Sequence, residues 1–118
     1  MHRYRDLLIW QRSLKFVKPV YKIAEKLPVD EKYCLMQQMK RAAYSISMNI
    51  SEGAERRTDK DFSHFLDMAI GSLHEVENCI LVAIELSFLR EEETSDIFCE
   101  SEEILRMILE FQNKLNSK

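Results

Sequence analysis

The amino-acid sequence predicts an all-α protein, an antiparallel up-and-down four-helix bundle that forms a single domain. The chain has 118 residues, of which 46% are hydrophobic and 31% charged, enough to bury a core without metal or disulfide support. It contains 2 glycines and 2 prolines, too few for the many tight turns of a β-sheet protein. Four segments repeat apolar residues at steps of three and four, which is the period of amphipathic helices. Short connections between such helices favour antiparallel packing of neighbours.

The first predicted helix runs from about Asp6 to Lys26. Its apolar stripe consists of Leu7, Trp10, Leu14, Val17, Tyr21 and Ala24. Pro19 lies inside this pattern and predicts a bend or a missing hydrogen bond at that point. Pro28 marks the end of the helix.

The second helix is predicted from about Glu31 to Arg57, with Asp30 as its N-cap. Its stripe is Leu35, Met39, Ala42, Ile46, Ile50 and Gly53. Small residues and Asn49 on this side indicate close packing in one register. Gly53 and Gly71 both lie inside predicted helices, where glycine costs about 1 kcal/mol relative to alanine. We therefore interpret Asn49, Gly53 and Gly71 as structural packing residues, with a ligand site as the less favoured alternative.

The third helix begins at Thr58, because Thr58 followed by Asp61 resembles a capping box. Its stripe is Phe62, Leu66, Ala69, Leu73, Val76, Ile80 and Ala83, and residues 87–90 form its fraying end. The fourth helix begins within the acidic segment 91–96 and carries Ile97, Ile104, Ile108, Phe111 and Leu115.

Further apolar residues flank these stripes. They are Leu8, Ile9, Met36, Ala43, Ile70, Leu81, Ile84 and Met107. A widened apolar face either enlarges the core or forms a second contact surface, and the second interpretation predicts a homo-oligomer.

The charges are distributed unevenly along the chain. Residues 1–60 hold 13 Lys and Arg against 7 Asp and Glu, whereas residues 61–118 hold 4 against 13. Basic residues bracket the second helix: Lys40, Arg41, Arg56, Arg57 and Lys60. This set is the best candidate for a nucleic-acid site, because exposed cations bind phosphates without reading sequence. The alternative is that these cations solubilise a helix end and complement its dipole.

Other chemistries find little support in the sequence. The three cysteines are widely spaced and indicate reduced thiols in a cytoplasmic protein. Asp61 and His64 supply one carboxylate–x–x–His spacing, but a di-metal bundle needs two copies. No phosphate-binding glycine loop or nucleophile elbow occurs. We therefore expect no enzyme activity, no cofactor, no metal, no small-molecule substrate and no membrane contact.

Two segments carry a family resemblance: RAAYSISMNISEG (residues 41–53) and FLDMAIGSLHEVE (residues 65–77). Together with DLLIWQRS near the start, they resemble the bacterial four-helix-bundle family of 23S rRNA intervening-sequence proteins, often labelled as ribosomal proteins. The resemblance implies a cytoplasmic homopentameric ring. It also implies a fold similar to that of accessory proteins of diversity-generating retroelements, which bind nucleic acid through basic surfaces.

These observations predict a non-catalytic, oligomeric bundle with an rRNA-associated role, which binds nucleic acid through the basic clusters of the second helix. The alternative is a structural or protein-interaction module that self-assembles without binding nucleic acid.

Overall fold

A computed structural model of the chain describes residues 1–117. It contains four α-helices: α1 (Leu8–Ala24), α2 (Leu35–Ala54), α3 (Asp59–Glu85) and α4 (Glu91–Asn116). Two short 3-10 turns, Tyr4–Asp6 and Val29–Glu31, precede α1 and α2. The part of the chain that the structure describes has no β-strand.

The helices form the four-helix bundle that the sequence predicts. Each helix packs against its two neighbours in a closed cycle, and α2 with α3 is the most extensive contact. The molecule measures 47 × 24 × 20 Å. One end holds the start of α1, the end of α2, the start of α3 and the end of α4. The side-chain amide of Gln112 on α4 confirms the antiparallel arrangement, because it donates to the backbone oxygen of Ser63 on α3 at 3.0 Å.

Helix α3 follows the sequence prediction most closely, since all seven residues of its predicted stripe are buried. The hydroxyl oxygen of Thr58 accepts a hydrogen bond from the Asp61 backbone N–H at 3.1 Å, which confirms the N-cap. The prediction of a fraying end is wrong. Ser87 adopts a left-handed conformation with φ 63°, the Phe88 N–H donates to the Ala83 carbonyl at 2.8 Å, and Leu89 is buried. An ordered turn therefore leads into α4.

The apolar stripe predicted for α1 is wrong, because the buried residues lie about one position earlier along the helix. The residues that α1 buries are Ile9, Ser13, Phe16, Val20, Ile23 and Ala24. Leu14, which the sequence assigned to the core, is 48% exposed. Ser13 is tolerated in the core because its hydroxyl donates to the Ile9 carbonyl at 2.7 Å, so no polar atom is left without a partner. Pro19 is exposed on the outer side, and α1 continues through it.

Helix α2 buries the stripe predicted for it except Leu35, which is half-buried. Its predicted start is wrong: Asp30 belongs to the preceding 3-10 turn, and α2 begins after Cys34. Helix α4 buries Ile97, Ile104, Ile108 and Leu115 and leaves Phe111 half-buried, largely as predicted.

The three packing predictions differ in outcome. Gly53 is confirmed, because a Cβ there would lie 2.7 Å from the Cβ of Phe65 and 2.8 Å from Cδ1 of Phe62. Gly71 is exposed and a Cβ there would meet no atom within 4 Å, so the prediction of close packing inside the bundle is wrong. Asn49 is half-buried, and its side-chain amide donates to the Ser45 carbonyl of the same helix at 2.9 Å. Because this hydrogen bond stays within α2, it does not fix the register between helices.

Candidate nucleic-acid interface

The basic residues predicted for nucleic-acid binding form two separate groups. Lys40 and Arg41 lie in the first half of α2, whereas Arg56, Arg57 and Lys60 surround the turn between α2 and α3. Sixteen residues separate Lys40 from Arg56, which corresponds to roughly 24 Å along the helix axis. The fold therefore does not bring the five residues into one patch.

The α2–α3 turn projects its cations into solvent. Helix α2 ends at Ala54, and the Arg56 backbone N–H closes the turn by donating to the Gly53 carbonyl at 3.0 Å. Arg56, Arg57 and Lys60 are exposed. The guanidinium carbon of Arg56 lies 4.5 Å from the centre of the Phe65 ring, a cation–π contact that limits its conformations.

The N-terminal segment adds two further cations to this end. The His2 backbone N–H donates to the Ala54 carbonyl at 2.8 Å, and the His2 ring lies 5.1 Å from Phe62 between ring centroids. This docking brings the N-terminal segment, with the exposed Arg3 and Arg5, to the end of α2. We refer to Arg3, Arg5, Arg56, Arg57 and Lys60 as the basic end. Sequence reasoning missed Arg3 and Arg5, although the run of basic residues before the first helix was a signal.

The charge balance at the basic end depends on which cations are already paired. Arg3 has its Nε 3.7 Å from an Asp6 carboxylate oxygen, with both side chains largely exposed. Within residues 1–117, no carboxylate lies within ion-pair distance of Arg56, Arg57 or Lys60.

Acidic residues nevertheless surround the basic end. Glu52 and Glu55 line an open depression of about 330 Å³ together with Tyr4, Ser51 and Arg56. Asp59 lies 3.8 Å from Nε2 of His2, measured to its Oδ1. The positive field is therefore local and belongs to the projecting side chains rather than to the whole end of the bundle.

The positive charge of the second basic group, Lys40 and Arg41, is partly neutralised by a nearby carboxylate. Nζ of Lys40 lies 3.8 Å from a Glu25 carboxylate oxygen and 5.0 Å from the centre of the Tyr21 ring. Arg41 is exposed and has no ion pair within the described residues. Both cations line an open groove that also contains tyrosines.

The groups whose pKa is shifted lie away from both basic groups. A hydrogen bond from Lys26 and one from the Arg90 backbone lower the pKa of Glu93. Burial raises the pKa of the Cys79 thiol. A bidentate contact between α1 and α4 raises the pKa of Arg12, whose Nη2 lies 2.8 Å from Oε1 of Glu100. These shifts arise from hydrogen bonds and from burial in the bundle, and none of them involves a residue of either basic group.

The described residues lack two further kinds of site. Among residues 1–117, no three His, Cys, Asp or Glu side chains converge as metal ligands do. Over the same residues, none of the helices combines the length and the apolarity that a membrane span requires.

Comparisons with known proteins agree on the fold. A crystal structure of a protein of unknown function from the S23 ribosomal protein family of Bacteroides thetaiotaomicron matches with a TM-score of 0.78. Its identity to this chain is 23%, and the match covers 89% of this chain and 98% of that one. No curated protein matches the sequence. The model of the 23S rRNA-intervening sequence protein family matches residues 5–110. The chain therefore belongs to the family of 23S rRNA-intervening sequence proteins.

Proposed function

We propose that this protein is a non-catalytic, self-associating bundle that binds RNA through the phosphate contacts of its basic end. The observation that carries the proposal is the exposure of Arg56, Arg57 and Lys60 without a carboxylate partner within the described residues. The family description, which refers to intervening sequences of 23S rRNA, supports RNA as the anionic partner.

The chemistry of the basic end suits a backbone-directed contact. Guanidinium groups match phosphate oxygens through paired N–H donors, and such contacts position a protein on nucleic acid without reading bases. Arg56 is restrained by the Phe65 ring, so less side-chain entropy is lost when it binds a phosphate. The surrounding Glu52 and Glu55 disfavour anions that approach from the side of the depression.

The test compares a double variant, Arg56→Gln with Arg57→Gln, against a matched control, Lys15→Gln with Lys18→Gln, which removes two exposed cations from α1. Each protein is titrated with a structured rRNA fragment at several salt concentrations. We expect the basic-end variant to bind more weakly and to reduce the slope of log K against log salt by about 1.4 to 1.8, since each phosphate contact contributes roughly 0.7 to 0.9.

Two outcomes contradict the proposal: wild-type protein that fails to bind RNA at low salt, or a slope that the basic-end variant leaves unchanged. Because Arg56 also contacts Phe65, the thermal midpoint of the double variant is measured alongside. Arg57→Gln alone then separates phosphate binding from any loss of stability.

A second candidate function is self-assembly without RNA binding, and exposed apolar residues favour it. Leu8 is 66% and Leu81 is 53% exposed, although Ile9 and Ala43 from the same predicted flanking set belong to the core. Gly71 presents bare helix backbone in the middle of α3, where the bundle itself does not need it. Contacts with other copies at these two surfaces would account for both features. The resemblance to pentameric relatives predicts an assembly of five times 14.0 kDa, about 70 kDa. A strictly monomeric mass in light scattering contradicts self-assembly and leaves RNA binding to be judged by its own test.

A further inference from the structure

An open groove of about 300 Å³ lies between the second half of α1, the connection that follows it and the first half of α2. The side chains that characterise it are three tyrosines and three cations: Tyr21, Lys32, Tyr33, Lys40, Arg41 and Tyr44. We call it the tyrosine groove. Its volume lies at the lower end of the range of small-molecule sites, so it fits a ligand about the size of one nucleotide.

Two of the three tyrosines are exposed to solvent, whereas Tyr21 is half-buried. Tyr33 is 78% exposed and Tyr44 is 41% exposed. The structure gives no hydrogen bond to the hydroxyl of either residue, or to that of Tyr21, within residues 1–117. An aromatic ring left in water forgoes the free energy of its own burial. The face of Tyr33 that Lys32 leaves open and the exposed part of Tyr44 are therefore available to stack on a planar ligand.

The cations lie beside these rings. Nζ of Lys32 is 5.5 Å from the centre of the Tyr33 ring, and Lys40 lies over Tyr21. Glu25 compensates Lys40, but Lys32 and Arg41 have no ion pair within the described part of the chain. A ligand that satisfies the groove must therefore combine an aromatic plane with negative charge a few ångströms away.

We propose that the tyrosine groove holds one unpaired nucleotide of a single-stranded nucleic acid, with its base stacked on Tyr33 or Tyr44 and its phosphate between Lys32 and Arg41. Stacking on tyrosine with a cation on the backbone is a general mode of single-strand recognition. A duplex does not satisfy the groove, because its bases are already stacked on one another. An apolar helix of another protein would leave two cations unpaired against its surface.

This inference rests on the proposed function, in that the tyrosine groove is a second contact for the same class of ligand. Lys40 at the groove is roughly 24 Å from Arg56 at the basic end along α2. A folded RNA with a paired segment and an unpaired loop can reach both. The basic end then contacts phosphates of either form, whereas the tyrosine groove discriminates in favour of unpaired bases.

The experiment measures fluorescence anisotropy with a labelled single-stranded RNA heptamer and with a blunt RNA duplex that contains the same sequence. The variants are Tyr33→Leu, Tyr33→Leu with Tyr44→Leu, and Arg41→Gln. Matched controls are Leu109→Ala, which removes an exposed apolar side chain from α4, and Lys18→Gln, which removes an exposed cation from α1. Tyr33 is exposed, so its replacement should leave the fold intact, as an unchanged thermal midpoint would verify.

We expect Tyr33→Leu to weaken binding of the single strand by about 5- to 150-fold without changing the salt slope, because stacking releases no counterions. Arg41→Gln should reduce the single-strand slope by about 0.7. Duplex affinity should stay within about two-fold for both tyrosine variants, and the controls should match the wild type.

Each remaining outcome overturns a specific statement. If the double tyrosine variant binds the single strand as well as the wild type does, the groove proposal is wrong, whether or not the basic end binds RNA. If that variant instead changes the mass of the protein in solution and leaves RNA binding unchanged, the groove is a protein contact. If the tyrosine variants no longer bind the single strand while the Arg56→Gln and Arg57→Gln double variant binds normally, the proposed role of the basic end is wrong and the groove proposal is supported.

Discussion

The two glycines of the chain allow one substitution to be compared in opposite environments. Gly53 and Gly71 both lie inside helices, so Gly→Ala gains helix propensity at each, by up to about 1 kcal/mol. The environments differ in the space for a methyl group. At Gly71 the added Cβ meets nothing within 4 Å, whereas at Gly53 it lies 2.7 Å from the Cβ of Phe65.

Whether the added methyl group lowers or raises stability depends on whether the neighbouring atoms can move away from it. The Cβ of Phe65 is attached directly to the backbone of α3, so it cannot rotate away and α2 and α3 must separate locally. Overpacking of this kind costs about 1–3 kcal/mol. After the gain in propensity is subtracted, we expect Gly53→Ala to destabilise the protein by up to about 2 kcal/mol and Gly71→Ala to stabilise the unassembled bundle by about 1 kcal/mol. With an unfolding entropy of about 2.1 cal/mol/K per residue, 1 kcal/mol corresponds to roughly 4 °C for a chain of this length.

Thermal unfolding followed by circular dichroism measures both midpoints, at one fixed protein concentration because self-association would shift them. We expect the midpoint of Gly53→Ala to fall by up to about 8 °C and, for the unassembled bundle, that of Gly71→Ala to rise by about 4 °C. A rise for Gly53→Ala would refute the close approach of α2 and α3. A fall for Gly71→Ala with an unchanged mass would refute the open environment of α3. A fall accompanied by dissociation would place Gly71 in a contact between copies.

Two further predictions concern the ends of helices. Thr58→Ala removes the hydroxyl that caps α3 and should lower the free energy of unfolding by about 1 kcal/mol, whereas Thr58→Ser should stay close to the wild type. Urea denaturation measures the difference. Equal midpoints for the Thr58→Ala variant and the wild type would contradict the prediction. Glu93 has a lowered pKa because Lys26 and the Arg90 backbone donate hydrogen bonds to it. Its contribution to stability is therefore complete above its ordinary value of about 4.5 and is lost as pH falls through the lowered value. Lys26→Gln should move the NMR titration midpoint of Glu93 upward, and an unchanged midpoint would exclude Lys26 as the main cause.

The contrast between α3 and α1 shows what the sequence pattern could determine. In α3 one apolar stripe is clearly stronger than any other, so periodicity identifies the buried face from Phe62 to Ala83. In α1 two apolar stripes offset by about one residue fit the pattern almost equally well. The correct one contains Ser13, whose burial depends on a hydrogen bond to Ile9 that periodicity does not report.

The candidate site was predictable only in part. The sequence identifies Arg56, Arg57 and Lys60 because they are adjacent in the chain. Arg3 and Arg5 join them only through the docking of the N-terminal segment, a contact between residues more than fifty positions apart. Likewise, the tyrosine groove combines α1 with α2 and with the connection between them. Residues from separate elements meet through tertiary packing, which local patterns do not encode.

In the bundle, the basic half and the acidic half of the chain lie on opposite sides. Helices α1 and α2 belong to the basic half and form one layer, whereas α3 and α4 belong to the acidic half and form the other. The molecule is therefore a permanent electric dipole across its short dimensions of 20–24 Å, despite a net charge of only −3. Near a polyanion, such a dipole experiences a torque that turns the α1–α2 layer, which carries the tyrosine groove, toward the ligand before contact. Added salt weakens this orientation along with the attraction itself.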